Sequence, residues 1–377
     1  MKPLALVFFF LIVGSFGRVD AATSAAPPVI SAQSFLLMDF DSGSALSEKG
    51  ADEHIDPASL TKIMTAYVVD AEIKAGKLKL DNKVTISDRA WRMGGVHMFA
   101  RMGAQVGVDE LLKSVIVQSG NDAAVALAEH IGGSEIAFAA LMNQYAQRLG
   151  MTHSHFTNST GLPDPNHFMT ARDLATLARA AIRDFPDSYV WYSAKEYSYG
   201  GITQYSRNKL LWTDPSVDGL KTGFTDGAGF GLVASAKKNG MRLISVILGS
   251  NSENARADES LRLLNYGFSA FETHRLYAGQ QQLAEAVIWK GEKKKLSLGL
   301  MSDLYITIPR GQYKNLNAAL DMRKRITAPA DKGQNFGSVT VKLGDRVYAE
   351  QTLVSLEPVA PGGFVNNAVD DMKLMFQ

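Results

Sequence analysis

The 377-residue sequence contains no cysteine at all. That excludes disulfides, thiolate metal sites and a cysteine nucleophile, and it leaves core size as the source of stability. An excess of either charge is also missing, because 39 Lys and Arg face 38 Asp and Glu. No broad cationic surface awaits a phosphate backbone, so no nucleic-acid partner is expected. There is no Gly-rich phosphate loop, and the seven histidines lack a paired ligand spacing; His153 and His155 alternate in an extended stretch and read as solvent-facing. Neither a cofactor nor a metal is implied. The N-terminal apolar stretch, Leu4 to Gly17, covers about 14 residues, short of the roughly 20 that span a bilayer. With Lys2 before it and Val19-Asp20-Ala21 after it, residues 1–21 read as a cleaved export signal rather than an anchor. Their removal leaves basic and acidic groups equal in number.

What is present is the composition of a globular protein, 46% hydrophobic and 20% charged, with a length that suits two domains. Phe35 to Asp39 reads as a buried strand closed by the turn Asp41-Ser42-Gly43. Apolar residues three and four apart then predict helices over 59–75, 108–118, 121–130, 134–149 and 170–182. Strands return at 217–222, 229–236 and 242–248, the last two joined through Lys237-Lys238-Asn239-Gly240, and a helix follows over 254–271. Strand, helical block and strands suit an α+β catalytic domain over 30–272, an antiparallel sheet covered by helices. Residues 273–360 change to short alternating segments and read as a smaller all-β domain. Residues 361–377 form a tail in which Val365, Ala368, Val369, Met372, Met375 and Phe376 share one helical face. That stripe suits either a membrane interface through residues 364–376 or docking on the protein itself, with Asp370 and Asp371 weighing against anionic lipid.

Three short elements carry chemistry. Ser59-Leu60-Thr61-Lys62 follows Pro57 at a helix start, which puts the Lys62 amine one turn from the Ser59 hydroxyl. Serine needs a neighbouring base, and a lysine that is desolvated and close to other cations loses its proton near neutral pH. The spacing recurs at Ser206 to Lys209 and Ser235 to Lys238, so alone it carries little. Ser119-Gly120-Asn121 falls in a turn between helices, where Ser119 can shuttle a proton and Asn121 can orient Lys62 and substrate, or simply cap the next helix. Lys221-Thr222-Gly223 ends a predicted strand. A strand bordering an active site can pair with an extended peptide, Gly223 would clear its path, and Lys221 with Thr222 can hold a carboxylate. The plain alternative is a hairpin turn without chemistry.

In this order and these settings, the elements resemble those of the serine penicillin-recognising enzymes. The similarity is greatest to the low-molecular-mass penicillin-binding proteins that are D-alanyl-D-alanine carboxypeptidases. Gln118 to Ala123, Gly231 to Ala236, the β-rich second domain and the amphipathic tail share it, so it covers essentially the whole mature chain. The resemblance implies a β-lactamase/transpeptidase-like fold and removal of the terminal D-alanine from peptidoglycan stem pentapeptides through a Ser59 acyl-enzyme, with β-lactams as covalent inhibitors. An endopeptidase acting on crosslinks and a non-catalytic β-lactam sensor are the alternatives. It further implies an oxyanion site at the backbone N–H groups of Ser59 and Phe224, and a substrate carboxylate at Lys221, Thr222 and Arg256. Arg207 resembles a bracing arginine. Phe224 stands where relatives often carry histidine. The segment from Asn158 to Asp173 holds no Glu, only Asp164 and Asp173 as carboxylates, so a penicilloyl adduct is expected to persist. With the export signal, the resemblance places the protein in the cell envelope, in the periplasm or peripherally on the outer face of the cytoplasmic membrane.

Overall fold

The computed structural model describes residues 26–374. The expected export signal lies outside them, as do Met375 and Phe376 of the tail stripe; the side chain of Val365 is likewise not described.

Five strands form the antiparallel sheet of the first domain: β1 (Ser34–Asp39), β2 (Ala45–Lys49), β3 (Val217–Thr225), β4 (Gly229–Lys238) and β5 (Met241–Ser250), in the spatial order β2-β1-β5-β4-β3. Their apolar alternation serves two cores. Leu36, Val233 and Val246 face one, while Leu37, Leu232 and Leu243 face the other, so the sheet is buried on both sides. The larger core holds α1 (Lys62–Lys74), α2 (Val108–Lys113), α3 (Asn121–Gly132), α4 (Glu135–Arg148) and α5 (Ala171–Asp184). The other face is covered by α6 (Glu253–Ala270). Side-chain oxygens of Ser134, Thr170 and Ser252 accept the first-turn N–H groups of α4, α5 and α6, which fixes where those helices begin. The strands run farther than the pattern predicts. β4 and β5 extend to a two-residue turn at Asn239-Gly240, with φ of 51° and 84°, because both residues tolerate the left-handed conformation that a tight hairpin requires. The predicted helix over 108–118 is α2 followed by a π-helical turn, Ser114–Gln118.

Phe271–Tyr277 (β6) leaves α6 directly and begins the all-β part. It pairs with β9 (Leu304–Pro309). A six-stranded sheet follows from β7 (Gln282–Trp289), β8 (Lys295–Gly299), β10 (Leu316–Met322), β11 (Ile326–Thr327), β12 (Asn335–Leu343) and β13 (Arg346–Ser355), closed over its own core. The two parts meet at a polar joint. Asp39 is fully buried; its Oδ2 accepts the Thr273 hydroxyl at 2.7 Å, its Oδ1 accepts Ser42, and the Ser42 hydroxyl bonds Thr307 at 2.7 Å. The terminal helix α7 (Phe364–Leu374) is tied to this second part where Asp370 accepts the Lys290 N–H and the Lys294 amine.

Candidate active site

The Ser59 turn is built by its neighbours. Asp56 Oδ1 accepts the Ala58 N–H at 2.8 Å, while Oδ2 accepts the Thr225 hydroxyl at 3.0 Å, so one carboxylate ties the turn to the end of β3. Ala58 has a φ of 49°, a left-handed conformation that costs a residue with a Cβ about 1 kcal/mol or more and persists only where its surroundings enforce it. A 3₁₀ turn, Ala58–Thr61, then runs into α1 and brings Lys62 Nζ to 3.2 Å from Ser59 Oγ. Lys62 is 1% exposed and also donates to the Thr160 carbonyl at 2.7 Å. Burial first, and the nearby Arg207 charge second, lower its pKa to about 7 against the opposing pull of Asp122. A lysine poised there is neutral often enough at physiological pH to accept the serine proton.

The second element sits where the π-helical turn ends. Ser119 takes a φ of 76°, its backbone N–H bonds the Ser114 carbonyl at 2.9 Å, and its hydroxyl is buried without a hydrogen-bond partner among the described residues. A buried hydroxyl left unmatched by the protein is free to serve a ligand. Asn121 opens α3. Its backbone N–H meets the Val96 carbonyl at 2.7 Å and its side-chain amide donates to the Gly94 carbonyl at 2.6 Å. The expected orienting contact of Asn121 is thus made to the 94–96 loop rather than to Lys62.

Lys221, Thr222 and Gly223 lie inside β3, which continues to Thr225, instead of ending it. Among the described residues β3 is an edge strand, paired with β4 alone. One expectation changes here. Gly223 does not clear a path for substrate: a Cβ on it would lie 2.9 Å from the Pro57 carbonyl and 3.0 Å from Leu60 Cγ, so its bare face lets β3 press against the Ser59 turn. Lys221 is 4% exposed, donates to the Thr222 carbonyl at 3.1 Å and lines a small hollow with Ser119, Arg207 and Thr222, three residues that also line the cleft. Burial, then Lys62, Arg207 and Arg256, push its pKa well below the usual lysine value. Phe224 is 48% exposed and stacks on Phe230 with centroids 4.3 Å apart. Arg256 is no surface cation. It is 3% exposed, donates to the Gly223 carbonyl at 3.1 Å, lies over the Phe230 ring and faces Glu253 at 3.7 Å.

The segment 158–173 meets the site through its backbone. Gly161, at φ +79°, packs so closely on the Ala58 carbonyl that a Cβ would overlap it at 1.8 Å. Asp164 caps the Asn166 N–H at 2.8 Å; Asp173 Oδ2 accepts His153 N–H and the Ser154 hydroxyl, and Thr170 rather than Asp173 is the N-cap of α5. Both carboxylates are therefore engaged away from Ser59. His167, which sequence reading passed over, accepts the Thr157 N–H at Nδ1, so its other ring nitrogen carries the proton and donates to Thr61 Oγ1 at 2.8 Å. Burial lowers its pKa to about 4 and keeps it neutral. Arg207 does more than the bracing that the resemblance implies: it lines the same cleft, and its charge reaches Lys62, Lys221 and Arg256. Its place one residue before Asn208, whose amide donates to the Gly219 carbonyl, is the only sequence signal it leaves.

Ser59, Ser119, Asn121, Thr222, Gly223, Phe224 and Arg256 come together around one open cleft of about 200 Å³, with Lys62 and Lys221 buried beside it. A serine hydroxyl against a desolvated lysine, beneath the free edge of an antiparallel sheet, defines a serine acyl-transfer enzyme. The D-alanyl-D-alanine carboxypeptidase family profile matches residues 21–252, and that of the penicillin-binding protein 5 C-terminal domain matches residues 271–360. The chain belongs to the D-alanyl-D-alanine carboxypeptidase family and is a serine-type carboxypeptidase. It is 41% identical to D-alanyl-D-alanine carboxypeptidase DacC of Escherichia coli, over 100% of this chain and 96% of that protein. Penicillin binding protein 5 from Haemophilus influenzae has a similar structure, with a TM-score of 0.85 and 41% identity over 89% of this chain and 99% of that one. Penicillin-binding protein D2 of Listeria monocytogenes, solved in an ampicillin-bound form, gives a TM-score of 0.59 and 30% identity over 64% of this chain and 100% of that one.

Proposed function

We propose that the protein removes the terminal D-alanine from peptidoglycan stem pentapeptides in two steps. Neutral Lys62 takes the Ser59 proton as Oγ attacks the carbonyl carbon of the penultimate D-alanine. The Ser59 and Phe224 backbone N–H groups would receive the oxyanion, and Thr222 with Arg256 the terminal carboxylate. The C–N bond breaks as the leaving amine takes a proton relayed through the unpartnered Ser119 hydroxyl, and D-alanine departs. A water that surrenders its proton to Lys62 then hydrolyses the acyl-enzyme to tetrapeptide and free Ser59. The observation that carries this reading is the 3.2 Å contact between Ser59 Oγ and a buried lysine with a pKa of about 7. Release of D-alanine from diacetyl-lysyl-D-alanyl-D-alanine tests it. A sensor would bind β-lactam and release nothing, and an endopeptidase would prefer crosslinked dimers.

The acid limb of kcat/KM should then report Lys62 in the free enzyme. Arg207 disfavours the charged form of Lys62, so Arg207→Gln restores it, raises the lysine's pKa and moves the limb to higher pH by about 0.5–1 unit. A pH–rate profile checks this, and an unmoved limb would remove Arg207 from the pKa argument.

We also propose that the protein works in the cell envelope, peripherally on a membrane through α7. Asp370 accepts the Lys290 N–H at 2.7 Å and the Lys294 amine at 2.9 Å, and Lys290 Nζ meets Asp371 at 2.5 Å. Both acidic residues that weighed against lipid are thus paired with lysines, Asp370 buried and Asp371 half-exposed, while Phe364 (89% exposed), Val369 and Met372 face out. Sedimentation with vesicles containing anionic lipid should carry the protein down, and Phe364→Ser/Met372→Ser should leave at least half of it in solution. No sedimentation of the parent would overturn the proposal.

A further inference from the structure

Beside the cleft, two large aromatic side chains stand in solvent where burial is the norm: Trp91 is 46% and Phe99 58% exposed. Phe99 also has a φ of 66°, a conformation that a bulky residue adopts only under constraint. The constraint is Asp122, 1% exposed, whose carboxylate accepts the Met98 N–H at 2.9 and 3.0 Å and the Phe99 N–H at 3.2 Å. His97 lies 27° from parallel with the Phe99 ring at 5.9 Å, and its carbonyl is held by Gln204 Nε2 at 2.8 Å. The fold thus spends buried hydrogen bonds to keep an aromatic ring outside. Trp91, His97, Phe99, Arg101 and Asp122 line a hollow of about 280 Å³.

The hollow and the catalytic cleft share a wall. Gly95, Val96 and Asn121 line the cleft, whereas the next residues on both segments, His97 and Asp122, line the hollow. The Asn121 N–H bonded to the Val96 carbonyl joins the two segments. Fixed, half-exposed rings beside a guanidinium offer an apolar stacking face with a polar rim, the complement of a pyranose whose C–H faces are apolar and whose edges carry hydroxyls and acyl groups. The substrate proposed above is a peptide borne on a glycan strand. Five extended residues span at most about 17 Å, so a stem bound at Ser59 leaves its sugar close to the cleft rim.

We propose that Trp91, Phe99 and Arg101 form a subsite for the sugar ring that carries the stem peptide, so that the enzyme grips its substrate at both ends. This rests on the reading of the cleft as the stem-peptide site. The test compares a soluble disaccharide-pentapeptide with sugar-free diacetyl-lysyl-D-alanyl-D-alanine, using the full protein and Trp91→Leu/Phe99→Leu, which keeps apolar bulk and removes the rings. The variant should lose about 10-fold in kcat/KM on the disaccharide substrate, as loss of two stacking contacts gives, and stay within about twofold on the tripeptide. Phe99→Tyr alone should retain the preference for the disaccharide. Equal losses on both substrates would mark the loop as mere support of the cleft and overturn the subsite, as would no loss on either. A wild type inactive on both would overturn the carboxypeptidase reading and the subsite with it.

Discussion

Ser59→Ala is expected to reduce D-alanine release from diacetyl-lysyl-D-alanyl-D-alanine by at least about 10⁴-fold, the scale on which removal of a catalytic nucleophile acts. The fold should survive, because the half-buried Oγ makes a single bond, to Lys62 at 3.2 Å, and such a bond contributes about 1 kcal/mol. Intact-mass measurement after benzylpenicillin supplies the second readout. The parent protein should gain one lasting adduct and the variant none. Persistence follows from two features. Asp164 and Asp173 bond Asn166 and the 153–154 segment and neither lines the cleft, so neither stands where it could activate a water at the acyl carbon. The amine expelled from a β-lactam also stays tethered to the acyl group, in the space that a departing D-alanine would vacate for water. Rapid turnover of benzylpenicillin without an adduct would refute this account, and substantial D-alanine release by Ser59→Ala would refute the mechanism.

Lys62→Met should be nearly as damaging to catalysis and of opposite sign for stability. Loss of the proton acceptor should lower kcat/KM by about 10³-fold or more. The folded state holds the lysine's pKa near 7, against an ordinary value of 10.5, so between those limits the unfolded chain binds more protons than the folded one. Stability therefore falls as pH drops from about 10.5 to about 7, and below that the whole penalty is present. A buried methionine of similar shape carries no such penalty, although it leaves the Thr160 carbonyl without its donor. Denaturant unfolding across this range should find the variant more stable at pH 7, with a smaller pH slope. A variant less stable at pH 7 with an unchanged slope would show that burial of Lys62 is not what strains the site.

The Ser59–Lys62 contact was legible in the sequence because it is local: the two residues are one turn apart, and a 3₁₀ turn opening into a helix is enough to join them. The helix starts at Ser134 and Thr170 and the turn through Asn239-Gly240 were equally readable, since a cap or a hairpin is decided within a few residues. What stayed hidden depends on register between distant segments. Lys62 owes its pKa to its burial and to Arg207, and its second bond to Thr160, none of which periodicity reveals. Gly223 looked like an opening for substrate because a strand read in isolation has no neighbour on that side; only the packing of β3 on the Pro57–Leu60 turn shows what the missing side chain admits. Asp122 stands in the first turn of a helix, where sequence gives it no special role, while its carboxylate fixes the 98–99 backbone from 23 and 24 residues away.

The free edge of β3 has a consequence for how this enzyme would choose among molecules. A ligand that completes the sheet is recognised by main-chain geometry, with amide spacing and carbonyl direction fixed by the strand, and the identity of its side chains matters little. Such recognition is generous to chemical variation along a peptide and strict about backbone handedness and extension. A fused lactam that mimics a peptide backbone meets the same criterion as the natural chain. Discrimination between drug and substrate must then come from elsewhere, because an edge altered to refuse one would refuse the other.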